Sequence, residues 1–276
     1  MKELTSDRLP DGTLFLPDMD PVAGVLVIAG SSGRVDNSRA RLFAEAGCAA
    51  ATLRYFGGSG QAPGICEIPL KTFVLALDVL VEHAPSRLGI VGTSKGAEAA
   101  LAVAVRDARV NVVVGFAPTS VTWGNLGAGH DGNLRPQRSS WTWQGKPLPF
   151  VNYDDDWPVP PEPIAYRPMY EHSLRVDPVQ AERAALRVED SPARLVLVAG
   201  DDDQLWPSDL FARQLAERRQ GRDVDIIIGR GAGHHARLPG EPAVEPSSEM
   251  ARGGNPSADA ALGERAWPQI LEVLHF

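Results

Sequence analysis

Short apolar runs rich in valine and isoleucine alternate along this chain with longer stretches whose apolar residues return every three to four positions. The runs at 13–17, 24–29, 49–55, 88–91, 110–116, 195–198 and 224–228 are predicted strands. Most hold too few polar residues for the in-out alternation of a half-exposed sheet, so they suit strands covered on both faces. The stretches at 38–46, 70–82, 95–106 and 208–218 are predicted helices, and a last helix at about 258–273 closes the chain. Asn37 or Ser38, and Pro207 or Ser208, supply starts for two of them; a small polar side chain accepts a free first-turn N–H, and proline loses nothing there. Alternation on this scale predicts an α/β fold with a doubly wound, mostly parallel sheet.

One segment breaks the rhythm. Residues 119–168 hold Trp123, Trp141, Trp143 and Trp157, four of the six tryptophans, with many prolines and no sustained period. An excursion of that length commonly lies over a binding site, which predicts an irregular, lid-like insertion above the carboxyl edge of the sheet. Its tryptophans either line a pocket or cover apolar surface, and the pattern leaves both open. A second loop, 236–256, is rich in proline, glycine and serine. With no internal repeat, 1–276 is expected to form one α/β domain carrying that insertion.

The 276 residues are 43% hydrophobic and 22% charged, and 35 Asp and Glu outweigh 27 Lys and Arg, for a formal net charge of −8. An acidic chain without a local basic cluster makes nucleic acid or an anionic membrane an unfavourable partner. The apolar runs fall well short of the about 20 residues that cross a bilayer. Residues 1–10 carry charges in place of an apolar signal core, so a cytoplasmic location is the expectation. Cys48 and Cys66 lie in no CxxC pair and have no histidine at ligand spacing, which suits two reduced thiols.

Candidate chemistry gathers at the ends of the predicted strands. Gly92-Thr93-Ser94-Lys95-Gly96 falls between the run at 88–91 and the alanine-rich helix that follows. A strand folding straight into a helix leaves no room for side chains at the two glycines. It holds the serine between them in a strained conformation, hydroxyl at the apex, where the helix's positive end faces any developing negative charge. A serine hydroxyl is a poor nucleophile until a base takes its proton, and that base needs an orienting acid. The run at 195–198 leads to Gly200 and then Asp201, Asp202 and Asp203. Asp203 has cleared the strand end and is the favoured acid, with Asp202 as the alternative and Asp201 as solvated loop. Beyond 224–228 a glycine-rich turn delivers His234 and His235. His234 is the favoured base and His235 the alternative, whereas His83, His130, His172 and His275 are read as structural or exposed. A tetrahedral oxyanion needs backbone donors: the N–H of Lys95, and that of Ser31 in the loop Gly30-Ser31-Ser32-Gly33, are the candidates. The Lys95 side chain is expected to be a surface or packing group. The Gly/Ser loop lacks both G-x-G-x-x-G and a Walker lysine, so no nucleotide site is expected, and the chemistry calls for no metal and no cofactor.

Thr13-Leu-Phe-Leu-Pro17, Gly30-Ser-Ser-Gly33, Leu53-Arg-Tyr-Phe56, Ile68-Pro-Leu70, Gly92-Thr-Ser-Lys-Gly96, Gly200-Asp-Asp-Asp-Gln-Leu-Trp-Pro-Ser208, Gly231-Ala-Gly-His234 and Gly253-Gly-Asn-Pro256 with Ala266-Trp267 form one ordered series. Over nearly the whole chain, that series resembles the catalytic domain of the acyl-CoA thioesterase and bile acid-CoA:amino acid N-acyltransferase family. The S-K-G and D-D-Q-L-W-P-S segments are the most specific parts. The resemblance implies an α/β-hydrolase fold with Ser94 as nucleophile, Asp203 as acid and His234 as base. It implies a small-molecule acyl-CoA thioester as substrate; for so compact a chain, an acyl-carrier protein is the alternative carrier. Larger members carry an N-terminal β-sandwich domain, for which this sequence has no counterpart; residues 236–240 also lack the aromatic, double-proline stretch of the thioesterases. Serine at the elbow is associated in that family with hydrolysis and cysteine with transfer to an amino acid. The expected function is therefore hydrolysis of an acyl thioester through an acyl-serine. Hydrolysis of a carboxylic ester or lactone, and transfer or cyclisation onto an amine or hydroxyl, are the alternatives that use the same triad. A hydrolase fold kept only for binding is disfavoured because all three triad positions are filled.

Overall fold

Residues 1–84 and 86–275 are described by a computed structural model. In chain order its elements are β1 (Lys2–Leu4), β2 (Leu14–Leu16), β3 (Gly24–Ile28), α1 (Asn37–Glu45), β4 (Ala49–Thr52), β5 (Ile68–Pro69), α2 (Lys71–Val81), β6 (Leu88–Thr93), α3 (Lys95–Ala104) and β7 (Val110–Phe116). There follow β8 (Trp141–Trp143), β9 (Lys146–Pro147), α4 (Arg167–Val176), α5 (Pro178–Arg183), β10 (Arg194–Gly200), α6 (Ser208–Arg218), β11 (Val224–Gly229) and α7 (Pro256–His275). The main sheet has the order β1-β2-β4-β3-β6-β7-β10-β11. β1 and β2 enter it antiparallel, and each later neighbour pairs in parallel.

The unbroken apolar runs follow from two covered faces. Leu26, Ile28, Ile90, Val113, Leu195 and Leu197 point to one side, where Phe73 and Leu77 of α2, Leu101 of α3 and Leu215 of α6 meet them. Val25, Val27, Val91, Val112, Val114, Val196 and Val198 point to the other, against Phe43 of α1 and Leu262, Ile270 and Leu274 of α7. Successive residues on a strand serve opposite faces, so every position is apolar. All the predicted strands and helices are present, with shifted ends.

Some expectations change. β4 stops at Thr52, and the residues that follow turn away as loop. α1 is capped by Asp36, whose side chain accepts the Arg39 N–H at 3.2 Å, in place of Asn37 or Ser38. α6 begins at Ser208, but the serine hydroxyl caps nothing and goes to Asp203. The insertion is less irregular than its sequence suggests: β8 pairs with β5 and β9 in a small second sheet. Its tryptophans divide. Trp123 and Trp141 are fully buried, whereas Trp157 borders a cavity.

Candidate active site

β6 passes into α3 through Ser94, which stands at φ 56° and ψ −120°. A non-glycine residue with positive φ costs about 1–3 kcal/mol unless its surroundings enforce it. Here they do. A Cβ on Gly92 would overlap the Gly96 carbonyl, and one on Gly96 would overlap the carbonyls of Ile28 and Ala29 at the end of β3. The Ser94 N–H donates to the Phe116 carbonyl of β7 at 2.9 Å. The turn is thus locked between two neighbouring strands, and the serine hydroxyl makes no hydrogen bond to any described residue.

The loop after β10 brings Asp203 to His234. Nδ1 of the ring lies 2.9 and 3.0 Å from the two carboxylate oxygens, with Asp203 0% and His234 4% exposed. The carboxylate also accepts from the Ser208 hydroxyl at 2.6 Å and from the N–H groups of Leu205 and Trp206 at 3.0 and 3.3 Å. Every neighbour of Asp203 is a donor, so it acts as acceptor and Nδ1 carries the hydrogen, leaving the lone pair on Nε2. Asp202 is occupied elsewhere, accepting from Gln204 Nε2 and from the Gly254 N–H. Asp201 accepts from the Gly231 N–H. The His234 N–H donates to the Arg252 carbonyl, and a Cβ on Gly233 would overlap the carbonyl of Gly253. The Gly253-Gly254 segment therefore threads between the acid loop and the histidine loop, contact that a side chain at Gly253 would block.

His235 turns away from Asp203 and packs edge-on against His234, ring centroids 5.2 Å apart. Burial, with His234 and nearby arginines, pushes its pKa down to about 2. His172, expected to be structural or exposed, lies 3.1 Å from Asp154 on the surface.

Neither the Ser31 nor the Lys95 N–H is taken up by a carbonyl of the described residues, and both residues border the cavity that contains Ser94 and His234. The loop carrying Ser31 presses on the nucleophile: a Cβ on Gly30 would sit 3.3 Å from Ser94 Cβ. Tyr55 holds this loop from behind, its hydroxyl 3.0 Å from both the Ala29 and the Gly30 carbonyl oxygens. In a planar trans peptide the C=O and the next N–H point opposite ways. A Gly30 carbonyl held by Tyr55 therefore directs the Ser31 N–H away from the tyrosine.

The Lys95 side chain is not on the surface. It is 1% exposed, and its Nζ donates to Glu98 Oε2 at 2.6 Å and to Ser140 Oγ at 2.8 Å. Glu98, 0% exposed, accepts with its other oxygen from the Trp123 backbone N–H at 2.9 Å and from Trp141 Nε1 at 2.8 Å. Burial raises the Glu98 carboxyl and lowers the Lys95 ammonium from their ordinary ranges, while each partner draws the other back. This pair joins the first turn of α3 to the insertion. Arg39 makes a second internal tie. It is 6% exposed, holds Glu241 bidentately at 2.6 and 2.8 Å, and reaches Thr93 Oγ1 at 2.9 Å.

Ser31, Ser94, Lys95 and His234 open on one cavity of about 690 Å³, whose far wall comes from the insertion and α4. Among the described residues no group of three or more His, Cys, Asp or Glu is arranged to hold a metal ion. None of the described helices is long and apolar enough to cross a membrane. Cys48 and Cys66 are buried and unbridged, and burial pushes the Cys48 thiol up to about 12.

Comparison with known proteins agrees with this architecture. The sequence model of the family described as BAAT / Acyl-CoA thioester hydrolase C terminal matches residues 68–276. Acyl-coenzyme A thioesterase 1 of Homo sapiens is 26% identical over 279 residues, covering 96% of this chain and 62% of that protein. Acyl-coenzyme A amino acid N-acyltransferase 2 of Mus musculus is 28% identical over 273 residues, covering 94% and 61%. The chain thus spans about three fifths of the length of such relatives. A dienelactone hydrolase-like promiscuous phosphotriesterase from metagenomic libraries superposes with a TM-score of 0.58 at 16% identity, covering 95% of this chain and 90% of its own. The monoacylglycerol lipase of Paleococcus ferrophilus gives 0.56 at 17% identity, covering 100% and 99%. At these identities the structures establish the fold, that of the α/β hydrolases.

Proposed function

The chain belongs to the BAAT / acyl-CoA thioester hydrolase C-terminal family, and from that membership we propose that it hydrolyses acyl thioesters with Ser94 as nucleophile, His234 as base and Asp203 as orienting acid. The observation that carries the reading is the strained serine turn opening on the same cavity as a histidine whose Nδ1 is bound to a buried carboxylate. His234 Nε2 takes the Ser94 proton as Oγ attacks the thioester carbonyl. The oxyanion is received by the N–H groups of Ser31 and Lys95, which act where charge develops. The carbon–sulfur bond breaks, the thiolate leaves with the proton returned by the imidazolium, and an acyl-serine remains. A water deprotonated by the same nitrogen then attacks the acyl carbonyl, releasing the acid and restoring Ser94.

The family association of an elbow serine with hydrolysis supports water as the acceptor, and CoA is the carrier most consistent with the named relatives. Free-thiol release from a series of acyl-CoAs, with product masses recorded, tests the proposal. The expected result is acid plus thiol from the wild type and loss of about 10⁶-fold in Ser94→Ala, the order of removing a nucleophile from such a triad. Turnover that survives Ser94→Ala removes the mechanism, and a product conjugated to an added amine or alcohol replaces hydrolysis with transfer.

A further inference from the structure

Aromatic side chains form a large part of the cavity wall, beside aliphatic ones such as Leu126, Met169 and Leu205. Two of the chain's six tryptophans, Trp157 and Trp206, and three of its four tyrosines, Tyr153, Tyr166 and Tyr170, border it, with Phe56 opposite. These rings are held in place by one another and by the backbone. Trp206 stands edge-on to Tyr170, centroids 5.6 Å apart at 80°, and donates through Nε1 to the Ala117 carbonyl at 3.2 Å. Trp157 and Tyr166 lie 6.1 Å apart, tilted by 37°. The wall begins beside the reacting groups, because the Trp206 and His234 rings are 5.9 Å apart.

The lysine and arginine side chains at the cavity are each paired. Lys95 and Arg135 are its only cations among the described lining residues; Lys95 is paired with Glu98 and Arg135 with Asp155. Asp154, which also borders the cavity, lies 3.1 Å from His172 Nε2. Among the described residues, no unpaired Lys or Arg borders the cavity to hold a carboxylate or phosphate on the acyl group.

We propose that the acyl group taken by this site is uncharged and aromatic, with its ring a short way from the scissile carbonyl. The proposal rests on the assignment of this cavity to the acyl side of the substrate. An alkyl chain gains the same area term from any apolar wall, whereas a ring gains a further preference from each edge-to-face or offset contact, about two- to tenfold apiece. Rings already fixed by their neighbours offer those contacts without being ordered on binding. Trp157, half-buried on the insertion, and Trp206, beside the base, both border the cavity.

The test compares 3-phenylpropanoyl with heptanoyl, both as N-acetylcysteamine thioesters for kcat/KM and as primary amides binding to the Ser94→Ala protein. The amide arm needs no turnover. An aryl-to-alkyl ratio of about tenfold in wild-type kcat/KM and in amide affinity is expected, falling below about threefold in Trp157→Leu and in Tyr166→Leu, which keep an apolar surface but remove a π face. If no thioester turns over while the amides retain the ratio, thioester hydrolysis fails and the aromatic preference stands. A ratio of one or less in amide binding overturns the proposal, as does a ratio that both leucine variants leave unmoved.

Discussion

Replacing Glu98 by glutamine should destabilise the protein by about 3–5 kcal/mol, the cost of leaving one member of a buried ion pair without its partner. The substitution preserves shape, and the remaining carbonyl oxygen can still accept from the Trp123 N–H and Trp141 Nε1. What it removes is the oxygen 2.6 Å from Lys95 Nζ, placing an NH₂ donor against a buried ammonium that keeps only Ser140. The loss corresponds to about 10²- to 10⁴-fold in the folded-to-unfolded ratio, a large share of a typical 5–15 kcal/mol stability. Lys95→Met alone should cost less, because the carboxylate left behind keeps two N–H donors, from Trp123 and Trp141. Lys95→Met/Glu98→Gln should recover much of the Glu98→Gln loss, since neither side then holds an unmatched charge. Urea unfolding followed by tryptophan fluorescence reads all four proteins, through midpoint shifts at constant slope. A Glu98→Gln protein within about 1 kcal/mol of wild type, or strict additivity in the double variant, would refute the reasoning.

Tyr55→Phe keeps the ring packing and deletes the hydroxyl that holds the Ala29 and Gly30 carbonyls. It should lower kcat about tenfold or more with KM little changed, short of the 10²–10³ for removing an oxyanion donor outright; a shift confined to KM would point instead to substrate binding. His235 is held near a pKa of about 2 in the folded chain against an ordinary 6.5. The unfolded chain therefore takes up the proton first, and stability is lost as pH falls from about 6.5 towards 2, by at most about 1.4 kcal/mol per pH unit. His235→Gln should flatten that part of a urea-midpoint-against-pH curve, and an unchanged slope would assign the acid sensitivity to other groups.

Much of the fold was legible because its signals are local. The runs around Val25 and Val113 are apolar at successive positions because two helical layers cover the sheet, and no helix pattern of that length competes with them. Two- and three-residue strands such as β5, β8 and β9 are too short to carry a period. α4 buries only Tyr170 and Ser173 and holds few strongly apolar residues, so little marks it as a core helix, although Pro168 in its first turn was a usable start signal. The geometry around Ser94, Asp203 and His234 was foreshadowed by glycines flanking strand ends, which local spacing displays. Glu98 meets Trp123 and Trp141 across 25 and 43 residues, and Arg39 meets Glu241 across 202. Nothing in the chain order marks those encounters, and a lysine that follows a serine by one position reads as surface until its side chain is seen to be buried. The Tyr55 hydroxyl belongs to the same class, its role set by the direction of a carbonyl.

The central claim is that Ser94 is activated by His234 within this cavity. Reaction of the folded protein with a fluorophosphonate probe, followed by peptide mapping by mass spectrometry, tests it most directly, because phosphonylation requires both the activated hydroxyl and the oxyanion donors. A single adduct on Ser94 is expected, with labelling slowed by orders of magnitude in His234→Gln and abolished in Ser94→Ala. A folded wild-type protein that takes no label, or that carries it on another residue, would contradict it.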